Sequence, residues 1–260
     1  MRRLFFGALL LVSLALPGLA TAQETTALGD GPLELDAAGG VEWRQEERLF
    51  IAEGGAVARQ AGATLRAQRL VAAYRDAAKG GGIEIFRVDA EGDVRIENEG
   101  DVATGARAVF DLADARIRLT GPGLRYASGR AAVTAGESLE YDLDDRRAIA
   151  RGNARVDAPR GQLAAPVIEA RIGADGDVQE ARASGGVVIR TGAETLSARE
   201  ARYDFALEQA EASGDVRLVR GSNVLTGARA TIDFKTGVAR LDGGAGGRVR
   251  GLVFPKAPDQ

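Results

Sequence analysis

The side chains that could do chemistry in this 260-residue sequence are its carboxylates. Asp142, Asp144 and Asp145 stand close together, as do Asp175 and Asp177. Paired carboxylates at a suitable separation are what glycoside hydrolysis uses. No other constellation offers a nucleophile and a base. The chain has no Cys and no His, which excludes thiol nucleophiles, Ser/His/Asp triads, zinc fingers and disulfides. Gly173-Ala174-Asp175-Gly176-Asp177 starts like a calcium loop but lacks the remaining EF-hand ligand spacing, and it reads as a hairpin turn. No phosphate-binding glycine loop with its Lys is present. The deciding observation is periodic: Asp111, Asp142, Asp204 and Asp233 recur, with Arg171 in the corresponding slot of a degenerate copy. Structural positions recur in this way, whereas an active site is singular. The expectation is a protein that is not an enzyme and needs neither cofactor nor metal.

The elements that carry these residues form a repeat. Thr104-Gly105-Ala106-Arg107-Ala108-Val109-Phe110-Asp111-Leu112 matches Thr226-Gly227-Ala228-Arg229-Ala230-Thr231-Ile232-Asp233-Phe234, and Ser197 to Phe205 and Ser138 to Leu143 are looser copies. The shared pattern is T-G-A-R-A-x-Φ-D-Φ, with Φ apolar. From 111 the slots fall at 142, 171, 204 and 233, with spacings of 31, 29, 33 and 29. A second signature, A-x-G-[DGN]-x-x-Φ, appears at Ala90, Ala183 and Ala212 and more weakly at Ala52 and Ala150. Glycine is 35 of 260 residues, nearly twice the usual ~7%. The excess is spaced, at 92, 121, 152, 185, 214 and 243. A fixed period of this length means one supersecondary unit repeated.

Within each unit the apolar period is two. Val216/Leu218, Ile232/Phe234, Ala239/Leu241 and Tyr203/Phe205 alternate with charged residues, the pattern of half-buried strands bounded by glycine. Each unit then holds two strands, one after an A-x-G turn and one around the Φ-D-Φ box, with Gly-Asp, Gly-Asn and Gly-Gly supplying the positive φ of the turns. The Ala-rich stretch over 61–78 favours helix by propensity, yet it sits where a strand box belongs and is read as strand. Six or seven units predict an all-β, antiparallel chain of about 13–15 short strands between Leu33 and Phe254. One apolar face per strand predicts an inward set of Val94, Ile96, Phe110, Leu112, Leu139, Tyr141, Val187, Ile189, Tyr203, Phe205, Val216, Leu218, Ile232, Phe234 and Leu241. These residues form either a dry core or an apolar groove that accepts acyl chains. The open strands at each end, Val41-Glu42-Trp43 and the segment from Arg248 to Pro255, are sites for strand addition by a partner or head-to-tail by a second copy.

The first 22 residues read as an export signal: Arg2-Arg3, an apolar run from Leu4 to Leu16, a Pro17-Gly18 break, and the small-x-small site Ala20-Thr21-Ala22. A short linker over 23–32 leads to a single repeat domain over 33–254 and a tail over 255–260. With a net charge of −3 for the whole sequence, no basic excess points to nucleic acid. A structural or adhesive β-solenoid, and a carbohydrate-active β-repeat enzyme, are alternatives at this point.

An export signal, Cys-free repeats of A-x-G-[DN]-V-x-Φ followed by T-G-A-R-A-x-Φ-D-Φ, and no catalytic constellation resemble the LptA/OstA family of periplasmic lipopolysaccharide transport proteins. Gly214 to Leu218, Asn223 to Ala230 and Thr236 to Leu241 form the closest stretch, and Leu33-Glu34-Leu35 with Val41-Glu42-Trp43 resembles the family's opening strand. The resemblance implies a partly open β-jellyroll in the periplasm that holds lipid A acyl chains in its apolar interior. It also implies end-to-end docking with like-folded inner-membrane and outer-membrane components, bridging the two membranes for outer-membrane assembly. The family's inner-membrane partner, which keeps an N-terminal anchor, is the alternative within that resemblance.

Overall fold

The computed structural model describes residues 33–253 except 78–81, 130, 160, 193, 237 and 245–246. The expected signal segment, the linker and the tail lie outside the described residues. Eighteen strands and no helix occur among the described residues. By contact density the chain divides into two compact units, whose boundary falls at Gly152–Asn153.

The N-terminal unit holds β1 (Glu34–Asp36), β2 (Val41–Arg44), β3 (Leu49–Gln60), β4 (Ala63–Asp76), β5 (Ile83–Asn98), β6 (Asp101–Asp111), β7 (Arg116–Thr120), β8 (Arg125–Ser128), β9 (Ala131–Thr134) and β10 (Ser138–Asp142). β11 (Arg147–Ala158) contains the boundary. The C-terminal unit continues with β12 (Gly161–Ile172), β13 (Val178–Thr191), β14 (Glu194–Asp204), β15 (Gln209–Arg220), β16 (Asn223–Asp233), β17 (Val238–Asp242) and β18 (Arg250–Leu252). Successive strands pair antiparallel. β1 and β2 both lie against β3, β7 and β8 against β6, and β17 and β18 against β16. β9 and β10 lie in the same way against β8 and β7. Each of these pairs is one strand position split in two, so eighteen strands fill fourteen positions. That agrees with the sequence expectation for positions, while most unsplit strands are longer than expected, at 11 to 16 residues.

The reason is a correction to the reading of A-x-G. Gly92-Asp93, Gly185-Gly186 and Gly214-Asp215 do not turn the chain between strands; they sit inside β5, β13 and β15, where the register shifts by one residue. Gly54-Gly55 does the same in β3 and Gly152-Asn153 lies within β11. Both residues of each pair have positive φ: 78° and 49° at Gly92-Asp93, 78° and 53° at Gly214-Asp215. Two consecutive left-handed residues with an extra residue on one strand make a β-bulge that bends the strand sharply. We call these bends corners. The first corner residue must be glycine for a second reason. A Cβ at Gly92 would lie 2.8 Å from Gln68 Cβ, and one at Gly214 would lie 2.8 Å from Arg199 Cβ. The second residue meets open space at Gly55 and Gly186, so Asp or Asn, the side chains that best tolerate this region, are accepted there. Gly121 and Gly243 lie in the gaps of split strands, β7/β8 and β17/β18. The spaced glycines therefore mark where alternate strand positions bend or break.

The actual turns are of two kinds. At one end of the strands, two-residue loops such as Ala61-Gly62 and Glu99-Gly100 have both residues at positive φ, as hairpins of matching twist require. At the other end, four-residue loops follow the recurring Asp. Asp111, Asp142, Asp204 and Asp233 each accept the backbone N–H three residues on, from Asp114 (3.1 Å), Asp145 (2.9 Å), Leu207 (2.9 Å) and Thr236 (2.8 Å). These are side-chain-to-backbone turn bonds. The expected strand over 61–78 is β4, and Gly173 to Asp177 is the turn between β12 and β13, closed by Gly173 N–H to Asp177 O at 2.7 Å.

Candidate functional site

Burial follows the corner. The residues two before and two after the corner glycine are both buried: Ala90 and Val94, Ala183 and Val187, Ala212 and Val216, Ala52 and Ala56. Register then lines these positions up. In the N-terminal unit, Ala52, Leu70, Ala90, Ala108, Leu119, Leu139 and Ala150 are cross-strand neighbours in turn. In the C-terminal unit the corresponding row is Ile168, Ala183, Ala201, Ala212, Ala230 and Leu241. Alanine is interspersed with Leu or Ile along these rows, so that small and large side chains interdigitate where the two arms of each bent strand converge. In the N-terminal unit residues from both arms, among them Ala90 and Phe110 on one and Ala58 and Val94 on the other, join one core cluster.

Away from the corner the inner face opens. Leu35, Leu65, Ile96 and Ala103 on one arm, and Phe50, Ile85, Leu112, Ile117 and Leu139 on the other, pack against the core while staying partly exposed. The fifteen residues expected to face inward fall into two groups of burial, and equivalent positions differ between strands, as Ile189 is buried where Ile96 is half-buried. Val94, Phe110, Val187, Ile189, Tyr203 and Val216 are buried. Ile96, Leu112, Leu139, Tyr141, Phe205, Leu218, Ile232, Phe234 and Leu241 are half-buried. The half-buried Φ after each Asp is anchored by its backbone. The N–H of Leu112 donates to Phe86 O at 2.9 Å, Phe205 to Gln179 O at 3.0 Å and Phe234 to Glu208 O at 2.9 Å.

Each unit carries one aromatic cluster near the four-residue loops. In the first, Trp43 stacks on Phe50 with centroids 5.6 Å apart, Phe50 meets Tyr74 at 5.1 Å, and Trp43 Nε1–H donates to the Tyr74 hydroxyl at 2.8 Å. In the second, Tyr203 meets Phe205 edge-on at 4.5 Å and Phe234 at 5.6 Å. Sequence reasoning missed Tyr126, which shares the row of Ile96 and Ala103. Its hydroxyl donates to Asp101 Oδ2, and burial, reinforced by that carboxylate, pushes its pKa far above the ordinary tyrosine value. Burial likewise raises Tyr141. The signal that could have found Tyr126 is its register with Ala103, which needs the split of β7 from β8 to be known.

Of the carboxylates weighed for catalysis, Asp142 and Asp175 are engaged in turns. Asp142 serves its turn and also takes Arg116 Nε at 3.4 Å, and the Asp145 N–H is the main cause that holds its carboxyl below the usual range. Asp175 accepts the Asp177 N–H at 3.1 Å within the turn. Among the described residues no group of three or more acidic side chains is arranged to hold a metal ion. The outer face carries alternating charge, as in Glu53, Arg69, Glu91 and Arg107, linked at 2.9, 3.9 and 2.7 Å. A concavity of about 490 Å³ on the outer face of the C-terminal unit is lined by Glu169, Arg182, Glu200, Arg202, Glu211 and Arg229 among others, and is polar where the inner face is apolar.

The described residues thus form an antiparallel β-protein whose inner face is packed at its corners and partly exposed beyond them. Residues 37–147 match the family model of the LptA/(LptD N-terminal domain) LPS transport proteins. The matched segment lies within the N-terminal unit. Among solved structures, that of LptH, the LptA homologous periplasmic component of the conserved lipopolysaccharide transport device from Pseudomonas aeruginosa, is similar at 13% identity and a TM-score of 0.43, covering 48% of this chain and 95% of that one. No curated protein sequence matches.

Proposed function

We propose that this protein is a periplasmic lipopolysaccharide-binding bridge component that carries lipopolysaccharide from the inner to the outer membrane. The acyl chains lie along the half-buried inner row, and the buried row at the corners is the floor beneath them. The observation that carries this reading is the graded inner face of the unit matched to the lipopolysaccharide transport family. Ile96, Leu112 and Leu139 are apolar, half-exposed and set against a packed cluster, which is how a preformed apolar site presents itself. Docking to like-folded inner-membrane and outer-membrane components, and head-to-tail self-association, use the edge strands. β2 pairs with β3, and its Val41 and Trp43 are 47% and 55% exposed. β17 and β18 form an edge of the C-terminal unit, with Leu252 57% exposed. Such edges invite strand addition.

The test is a photo-crosslinking amino acid placed at Leu112 and, as control, at the outward Arg95 of the exported protein in cells. Lipopolysaccharide adducts at Leu112 and none at Arg95 are expected. Equal labelling, or none at Leu112, rejects the groove. Phe234→Asp or Leu218→Asp will abolish lipid binding or folding, whereas Asp111→Asn will change lipid binding little, as measured with purified protein and a lipid A analogue.

A further inference from the structure

We infer that the C-terminal unit is a second lipid-binding unit, so that one chain holds two lipid molecules. The inference rests on the lipid-binding reading above and extends it to the part of the chain that the family match leaves uncovered. That match ends at residue 147, close to the boundary at Gly152–Asn153. Beyond it the same devices recur. Corners at Gly185-Gly186 and Gly214-Asp215 place Val187 and Val216 at 1% exposure each, as Gly92-Asp93 places Val94. Half-buried apolar residues recur as well: past the corner Leu218 is half-buried beside the buried Leu196 and Ile189, and toward the four-residue loops Ile232, Phe205 and Phe234 are half-buried around the buried Tyr203.

Each unit therefore has its own packed floor, its own half-open apolar margin and its own aromatic cluster near the four-residue loops. A residue pattern that serves acyl chains in the first unit presents the same chemistry in the second. The residues named for each site all lie within one unit, and sites that share no partner contribute additively. The occupant is an acylated lipid of the same class, because the lining named for each unit is aliphatic and aromatic, with charge confined to the strand ends, at Asp101 beside Tyr126 in the first and at the Glu194–Arg220 pair in the second.

The experiment is native mass spectrometry of the whole exported chain titrated with lipid A. Two lipid A molecules per chain at saturation are expected. Leu218→Ser with Phe234→Ser lowers saturation to one, Leu112→Ser with Leu139→Ser does the same, and the affinity of the remaining site stays within about twofold, as expected for uncoupled positions. The parent chain alone decides the stoichiometry if a variant fails to fold. Saturation of the parent at one lipid A overturns the second site and leaves the proposed function standing, with the Leu112 crosslink as its separate measure. No lipid A bound by any form overturns both.

Discussion

Asp233 ends β16 and accepts the Thr236 N–H at 2.8 Å; Asp142 does the same for Asp145 at 2.9 Å. Those backbone N–H groups are the leading cause that holds both carboxyls below their ordinary value of 3.8. A carboxyl with a lowered folded pKa contributes stability that is complete above the unfolded value and is lost as the pH falls through the folded one. The acid limb of stability therefore lies at and below about pH 4. The Asp142→Asn, Asp233→Asn double variant keeps an acceptor for each N–H but cannot titrate. Its urea midpoint will move less between pH 7 and pH 3 than the parent's, and an equal movement in both would show that other groups set the acid limb. Asp233→Ala, which removes the acceptor, will lower the urea midpoint at pH 7 in the same measurement. The structural reading of these aspartates was available from sequence because they recur; the N–H each one satisfies was not, since it depends on a four-residue loop that the pattern does not spell out.

Corners explain both what sequence could show at the level of strands and where it misled. Alternation in β15 and β16 identified strands correctly, and the spaced glycines located a feature in alternate strand positions. In sequence Gly214-Asp215 resembles a turn because two residues of positive φ are also what a two-residue hairpin requires. The distinguishing cue lies on either side: Ala212 and Val216 are both apolar and both buried, whereas residues flanking Glu99-Gly100 are Asn98 and Asp101. Floor and margin were indistinguishable in sequence for the same reason, because Val216 and Leu218 differ in their distance from a bend that had not been recognised. Gly92→Ala will cost about 1–3 kcal/mol, combining backbone strain with the contact against Gln68. Gly55→Asn will stay within about 0.5 kcal/mol, since its side chain meets open space. Ala90→Leu will cost about 1–3 kcal/mol by overpacking the completely buried corner. Urea unfolding of the three variants checks the order, and a Gly55→Asn loss as large as that of Gly92→Ala would contradict the assigned geometry.

For the molecule as a whole, charge and apolar surface are sorted to opposite faces. The outer ion pairs are largely exposed; Arg199 and Asp215, for example, keep 74% and 78% of their side-chain surface. Such pairs contribute about 0–1 kcal/mol each and are screened by salt. Raising NaCl from ~0.1 to ~1 M shortens the screening length from ~10 to ~3 Å and will shift the unfolding midpoint little, because the apolar corners hold the fold. A large salt-induced loss of stability would place the stabilising interactions on the outer face instead. The edge strand β2 has one more consequence. The chain contains a single tryptophan, and Trp43 stands on that edge. The protein is thus born with an optical probe at the very strand proposed to dock: its emission begins red-shifted by water, and a partner strand laid along β2 will turn it bluer, so assembly can be followed by eye of the fluorimeter without a label.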